Sequence, residues 1–278
     1  MKRRRAAARP QGKLDVHGVL WSVTQTCLSW LWPPRKIART LRNMWPQDPT
    51  MHVSHETIYT TIYAHPRGEL RKQLASCLRQ GKSNKRPRAG GEDRRGKMAD
   101  MVSIHARAPE VNDRLMPGRW EGDLIKGALN QSAVGVLVER TTGLALLAKM
   151  KDATAVSALE AFTLKLQSIA APLRKTLTHD RRREMARHAE LSARTCVNVY
   201  FCDPHSPWQR GTCENTNGLL RQYMPNGTDL SGYSQEQLDA FADSLNIRPR
   251  ERHDFRSSRH IFRDILDAQT EATSAVQH

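Results

Sequence analysis

The chain has 278 residues, of which 38% are hydrophobic, and its 44 lysines and arginines outnumber 28 acidic residues to give a formal net charge of +16. This length and apolar content predict two domains with at least one sizeable core, and the charge indicates a polyanionic partner, most simply nucleic acid. Three features are disfavoured: a membrane span, because the apolar runs are too short; a secretory signal, because no apolar core follows the basic N-terminus; and structural zinc, because the five cysteines form no Cys-x-x-Cys pair. Cysteine usage favours a reducing cytoplasm.

The N-terminal region, residues 1–32, combines a basic tail with an apolar stretch. Residues 1–13 contain six lysines or arginines and no acid, a pattern typical of a solvated tail that touches phosphates without reading sequence. Val19–Trp32 is apolar and rich in tryptophan. This stretch fits either a short core helix or the remnant of an abbreviated N-terminal region.

Two short helices around a turn are predicted in residues 33–78. The first, Arg35–Met44, follows Pro34, a residue suited to a first helical turn, and the second starts at Ser54, whose hydroxyl suits an N-cap. The apolar faces are Ile37, Leu41 and Met44 in the first helix and Ile58, Tyr59 and Ile62 in the second. This pattern fits a plain helical hairpin or a helix-turn-helix that enters the major groove of DNA. In the second case the predicted base-reading residues are Ser54, His55 and Thr57.

Residues 79–118 are predicted to be a basic linker and a lead-in to the next domain. Residues 79–97 hold eight basic residues, four glycines and a proline without apolar periodicity. Such a linker can follow the DNA backbone and add affinity with little sequence reading. Its predicted phosphate contacts are Lys82, Lys85, Arg86 and Arg88.

Residues 119–250 predict an α/β domain, because a run of three strands is followed by alternating helices and strands. The predicted strands are Arg119–Lys126, Ala133–Arg140, Gly143–Met150, Lys175–His179 and Val197–Cys202. The second and third strands are predicted to pair as a hairpin. The predicted helices are Ala153–Ile169, with Val156, Leu159, Phe162 and Leu166 buried, then Arg183–Arg194, and a last one from about Gln209. Residues 251–278 are predicted to be a C-terminal tail.

Polar residues that could form a site lie on three of these elements. Asp123 is in the first strand and Asp180 ends the fourth. Glu214, Asn217 and Arg221 share one face of the last helix, because they are three and four residues apart. Taken singly, each also fits an ordinary solvated carboxylate, a helix N-cap or a polar helix face. Together they form a candidate site.

Several neighbours compete for the same roles. Glu121 has the same sheet-face parity as Asp123 and is the main alternative for the first carboxylate. His205, Trp208 and Arg210 precede the last helix, where a substrate strand can be guided, although Trp208 fits core packing equally well.

Four motifs carry a family resemblance: WEGDLI, VERTT, HDRRREMARHAE and YFCDPHSPWQRGTCENTNGLLRQY, at residues 120–125, 138–142, 179–190 and 200–223. With them the chain resembles the insertion sequence thirty family of bacterial transposases over about residues 33–250. The resemblance implies an RNase H-like catalytic domain of the retroviral-integrase type, preceded by a helix-turn-helix region.

The resemblance also implies the chemistry and its residues. Asp123, Asp180 and Glu214 correspond to a triad that binds two divalent ions, Mg²⁺ or Mn²⁺, and cuts and joins DNA strands. Arg210, Asn217 and Arg221 are then predicted to contact DNA. The implied partner is double-stranded DNA, namely the element ends and the target. A homo-oligomer on DNA and a cytoplasmic, nucleoid-associated location are expected.

Three positions depart from the family pattern. Arg181 and Arg182 stand where the family usually has Gln and Gly, and Cys213 stands where it usually has Asn. Arginines beside Asp180 are expected to pair with it or repel a cation, and Arg182 is strained if its position requires a positive φ. A carboxylate that arginines close off favours an alternative function, a catalytically inactive DNA-binding repressor. A nuclease on the same scaffold is a third hypothesis.

Overall fold

The computed structural model describes residues 14–15, 17–64, 69–78, 100–107, 115–204 and 206–276. They form two compact units. The N-terminal unit contains the described residues below 90 together with 248–256, and the α/β unit contains the remainder. None of the helices in these ranges is long and apolar enough to cross a membrane.

The N-terminal unit is helical, and its helices form where apolar residues recur at helical spacing. Its helices are α1 (Val19–Ser29), α2 (Pro34–Met44), α3 (His55–Ala64) and α4 (Glu69–Ser76), with a short 3-10 helix at Pro49–Met51. Their core includes Trp21, Leu28, Ile37, Leu41, Val53, Ile58 and Ile62. The tryptophan-rich stretch is therefore largely helical, and both predicted helices are present.

Two residues of the predicted apolar faces are exposed instead. The prediction that Met44 is buried is wrong. Helix α2 ends at Met44, so no following turn covers its side chain. Tyr59 is also exposed, because it follows Ile58 directly and is rotated by about 100° from the buried Ile58 and Ile62 face.

The α/β unit is built on a five-stranded mixed sheet. Its strands are β1 (Arg119–Lys126), β2 (Ala133–Glu139), β3 (Ala145–Lys149), β4 (Thr176–His179) and β5 (Asn198–Phe201). The order is β3-β2-β1-β4-β5, in which β1, β2 and β3 form an antiparallel meander while β4 and β5 run parallel to β1. This is the strand order of the RNase H-like fold, so the predicted fold class is confirmed.

Helices cover both faces of the sheet. On one face, α5 (Ala155–Gln167), α6 (His188–Thr195) and α9 (Ser258–Val276) pack on alternate strand residues such as Trp120 and Leu124. On the other, α7 (Gly211–Leu220) and α8 (Gln235–Asn246) pack on residues such as Ile125. Because side chains alternate along a strand, Glu121 and Asp123 point to the α7 side, as their parity predicts.

Some predicted boundaries and core residues differ. Val156 is exposed, because the buried side of α5 is formed by Leu159, Phe162 and Leu166 with small residues between them. The predicted helix at 183–194 is a 3-10 helix, Arg183–Met185, followed by α6. The predicted C-terminal tail contains α9, whose Phe262, Ile265 and Leu266 pack against the sheet core, so the core continues beyond residue 250.

Candidate active site

Asp123 and Asp180 come together through the parallel pairing of β1 with β4. Glu121 is paired with Thr178, and the same register carried two residues further places Asp123 beside Asp180. The guanidinium of Arg210 lies between them, with Nη1 3.1 Å from Asp123 Oδ2 and Nη2 3.3 Å from Asp180 Oδ2. Two of the three predicted triad carboxylates therefore converge on one cationic group.

Arg210 is held in place by more than these two carboxylates. It ends the 3-10 helix Pro207–Arg210, directly before α7, and its Nη1 also donates to the carbonyl oxygen of Gly122 at 3.0 Å. Burial disfavours the charged guanidinium, but the charges of Asp123 and Asp180 outweigh burial and raise the pKa of Arg210 above its ordinary value. Arg210 was predicted to contact DNA; in this structure it is buried and paired with carboxylates instead.

Asp180 also pairs with its own neighbours. Arg182 Nε lies 2.6 Å from Asp180 Oδ2, and His179 Nδ1 lies 2.9 Å from Oδ1. Burial raises the pKa of Asp180, but the close contacts with His179, Arg182 and Arg210 outweigh it and hold the pKa well below its usual range. Asp180 is thus a carboxylate that arginines close off.

The two departing arginines behave differently. Arg182 has φ −94° and ψ 152°, so the expectation of strain at this position is wrong: the backbone here is extended and any residue can adopt it. Arg181 turns away from Asp180, since its Nε donates to the carbonyl oxygen of Cys202 at 2.9 Å and its Nη2 lies 3.7 Å from Asp203. Of these two arginines, only Arg182 contacts Asp180.

Glu121 is occupied by structural contacts. It is fully buried, its Oε1 is 2.7 Å from Arg140 Nη1, and its Oε2 accepts the backbone N–H of Cys213 at 2.8 Å. These contacts fasten the start of α7 to β1. Burial, followed by the nearby charges of Asp123 and Glu121, raises the pKa of the Cys213 thiol well above its ordinary value, which keeps the thiol neutral.

The third predicted carboxylate is separate from the first two. Glu214 is exposed in the first turn of α7, one residue after the buried Cys213. Over the ranges that the structure describes, no group of three or more His, Cys, Asp and Glu side chains is arranged to hold a metal ion. Glu214 lies on α7 as predicted, but its side chain is not gathered with Asp123 and Asp180.

The remaining polar groups at the pair suit a hard cation. Asn217, one turn after Glu214, donates from Nδ2 to Asp123 Oδ2 at 3.0 Å, and its Oδ1 is buried without a hydrogen-bond partner among the described residues. Carboxylate and amide oxygens are ligands that Mg²⁺ and similar ions accept. Asp123, Asp180 and Asn217 therefore fit a divalent cation by donor type, at the position that the Arg210 guanidinium fills.

The other predicted DNA contacts are distributed more widely. Arg221 donates to the carbonyl oxygens of Lys126 at 3.1 Å and Met224 at 3.4 Å, so its guanidinium joins the end of α7 to β1. Trp208 has 72% of its surface exposed, so the core-packing alternative is wrong. The linker residues Lys82, Lys85, Arg86 and Arg88, and also His205, lie outside the described residues.

In the N-terminal unit, the predicted cap of the second helix is present. Ser54 Oγ accepts the backbone N–H of Thr57 at 3.0 Å, which satisfies one of the free donors of the first turn of α3. Ser54 and His55 are exposed, and so are Tyr59 and Tyr63 further along α3. Of these two tyrosines, Tyr59 had been predicted to lie on the apolar face of the helix.

Comparison with known proteins places these features in context. The chain is 64% identical over 265 residues to the transposase for insertion sequence element IS1086 of Cupriavidus metallidurans, which covers 95% of this chain and 78% of that protein. It is 40% identical over 261 residues to transposase InsI for insertion sequence element IS30A of Escherichia coli, with 92% and 68% covered. The catalytic core domain of BIV integrase matches with TM-score 0.43 and 16% identity over 55% of this chain and 98% of that chain. No protein-family model matches the chain.

Proposed function

Because the chain belongs to the IS30 family of insertion-sequence transposases, we propose that it binds the ends of its element and catalyses divalent-metal-dependent cleavage and joining of DNA strands. The observation that carries the proposal is the convergence of Asp123, in β1, and Asp180, directly after the adjoining β4, on one cationic group. Double-stranded DNA is the proposed partner, consistent with the net charge of +16.

In this proposal Asp123, Asp180 and Glu214 hold the metal, Mg²⁺ or Mn²⁺, as a pair of ions. When bound, such ions supply activation of the attacking oxygen and stabilisation of the leaving oxygen of a phosphodiester. Asp123 and Asp180 provide anionic oxygens, and the hydrogen bond from Asn217 orients Asp123. Glu214, exposed in the first turn of α7, is the proposed third ligand, although its side chain is not gathered with the pair in this structure.

DNA recognition falls to the N-terminal region in this proposal. Residues 33–78 form a helix-turn-helix in which the capped N-terminus of α3 presents Ser54, His55 and Thr57 to the bases. The basic residues of 79–118 follow the backbone, and 119–250 with α9 form the catalytic core. A homo-oligomer assembled on DNA in the cytoplasm, at the nucleoid, completes the proposal.

A cleavage and joining assay on duplexes that carry the terminal repeats of the element tests this function. With Mg²⁺ or Mn²⁺ we expect activity from the wild type and loss to below about one per cent in Asp123→Asn, Asp180→Asn and Glu214→Gln, because an amide lacks the anionic oxygen that a hard cation needs. Glu160→Gln is the matched control, since Glu160 is an exposed carboxylate on α5. Activity that survives in all three variants contradicts the proposed roles.

A second function is favoured by one observation, the pairing of Asp180 with both Arg182 and Arg210. A chain in which this pairing is permanent binds element ends without cutting them and acts as a repressor. The two functions are separated by the wild type alone: end-specific binding without any cleavage over a wide range of Mn²⁺ concentration supports the repressor and contradicts the transposase.

A further inference from the structure

Arginines of the same chain neutralise the negative charges of Asp123 and Asp180. Two carboxylates face two guanidiniums, of which Arg182 contacts Asp180 alone and Arg210 contacts both. The local sum of these four charges is zero, so the pair exerts little attraction on a further cation. A divalent ion approaching Asp123 Oδ2 and Asp180 Oδ2 meets the Arg210 guanidinium first and is repelled by it.

Arg210 matters more than Arg182 for this balance. Its side chain is 7% exposed, compared with 38% for Arg182, so water screens its charge much less. Its two terminal nitrogens reach one oxygen of each carboxylate, which is the position where a cation shared by both acids would lie. The orphaned Oδ1 of Asn217 borders the same Asp123.

We infer that Arg210 is an internal counter-ion that keeps the Asp123–Asp180 pair closed to divalent cations until a DNA phosphate draws its guanidinium away. Guanidinium groups bind phosphate through two parallel hydrogen bonds, so a phosphate competes directly with the carboxylates. Arg210 is suited to this exchange because it ends a short turn that also carries the exposed Trp208. The phosphate part of the inference rests on the proposed function, whereas the closure by Arg210 does not.

A consequence of this exchange is that DNA and the divalent cation bind cooperatively. DNA that takes Arg210 removes the competitor for the cation, and by thermodynamic reciprocity the cation then strengthens DNA binding. The local net charge at the pair becomes negative only when substrate has drawn Arg210 away, which limits metal loading of the free protein.

Titration calorimetry with MnCl₂ on the full chain tests the closure. We expect Arg210→Gln to bind Mn²⁺ at least about tenfold more tightly than the wild type, a gain of about 1.4 kcal/mol. Arg194→Gln is the matched control: it removes the same charge and also breaks one ion pair, with Glu190 on α6, and its Mn²⁺ affinity should equal that of the wild type. Asp123→Asn added to Arg210→Gln should abolish the tight binding.

The outcomes separate the inference from the proposed function. Equal Mn²⁺ affinity of the wild type and Arg210→Gln, lost in both on Asp123→Asn, overturns the inference and leaves the metal site intact. Absence of Asp123-dependent binding in folded Arg210→Gln overturns both. Arg210→Lys guards against misfolding, because a single ammonium keeps the charge but pairs with one carboxylate at a time, and we expect an intermediate affinity.

The DNA arm compares the wild type with Arg210→Gln. Mn²⁺ is titrated into the wild type with and without a short duplex, and titration of the duplex alone is subtracted. We expect the duplex to tighten Mn²⁺ binding in the wild type but to have little effect in Arg210→Gln, where the competitor is already gone. An equal gain in both proteins overturns the role of phosphate.

Discussion

Two arginine–carboxylate clusters lie on the same side of β1, two residues apart, and differ in how firmly they are closed. The structural cluster consists of Glu121, Arg140 and the backbone of Cys213; the strand-end cluster consists of Asp123, Asp180, Arg182 and Arg210. In the structural cluster the Arg140 and Glu121 side chains are 7% and 1% exposed. In the strand-end cluster Asp180 is 18% and Arg182 38% exposed, whereas Arg210 and Asp123, at 7% and 10%, are nearly as buried as the structural pair.

This difference in exposure separates a permanent contact from an exchangeable one. Removing one partner of the Glu121–Arg140 pair takes the opposite charge away from a buried group, which is strongly unfavourable. In the strand-end cluster, solvent and incoming ions can replace the half-exposed Arg182 at much lower cost, whereas the buried Arg210 leaves only when an incoming anion takes its charge. The same residue types therefore stabilise the fold at residue 121 and provide a site at residue 123.

The largest effect is expected at the structural cluster. Glu121→Gln should lower the free energy of unfolding by about 3–5 kcal/mol, because Arg140 loses its anionic partner inside the protein. Urea denaturation followed by circular dichroism measures it, with Glu160→Gln as the surface control. Glu121 is therefore unsuitable as a neutral control for Asp123 in activity assays. If Glu121→Gln lowers the free energy of unfolding no more than Glu160→Gln does, the structural cluster is not the more firmly closed of the two.

The next effect concerns pH and the strand-end cluster. The pKa of Asp180 is lower in the folded than in the unfolded chain. Its ion pairs therefore stabilise the folded state fully above the unfolded pKa of about 3.9. This stabilisation is lost as the pH falls below that value toward the folded pKa. We expect the stability gap between the wild type and Asp180→Asn to be constant near neutral pH and to shrink below about pH 4. Urea midpoints across this range measure the gap. A gap that does not change with pH contradicts the low pKa.

A smaller effect is expected in the N-terminal unit, where one polar residue is proposed to serve both stability and recognition. Ser54→Ala removes the cap of α3 and should destabilise its first turn by about 1 kcal/mol. Hydrogen exchange at the Thr57 amide, which donates to Ser54 Oγ, should accelerate about fivefold. Ser54→Asp keeps a capping oxygen but adds a negative charge, so it should preserve the amide protection and weaken DNA binding. If both variants bind DNA like the wild type, Ser54 does not face the bases.

The smallest effect distinguishes the two departing arginines. Arg182→Gln should raise Mn²⁺ affinity about threefold, less than Arg210→Gln, because its ion pair is partly exposed and screened. Arg181→Gln should leave the affinity unchanged, since Arg181 contacts Cys202 and Asp203. The reverse order of these two variants in the same Mn²⁺ titration would mean that Arg181 is the residue that closes Asp180.

The sequence was sufficient for features that depend on local pattern. Strand β1 was predicted with its observed ends, the period of two put Glu121 and Asp123 on one side, and the Ser54 cap followed from residue type alone. Features that depend on packing between distant segments were missed. The pairing of Arg210 with Asp123 and Asp180 needs β1, β4 and the turn before α7 in register at once. The exposure of Val156 depends on which side of α5 meets the sheet.

The strand order also has a consequence for the time course of folding. Strands β1, β2 and β3 are joined by short connections, whereas β1 and β4 are separated by the whole of the meander and α5. Because contacts close in sequence form sooner than distant ones, the meander should form first and the β1–β4 pairing later. Asp123 therefore lies in a hairpin that forms early, and Asp180 and Arg210 pack beside it only when later parts of the chain fold. In a chain emerging from the ribosome, both aspartates therefore precede Arg210, which is made 30 residues after Asp180, and the proposed site is incomplete until Glu214 has followed.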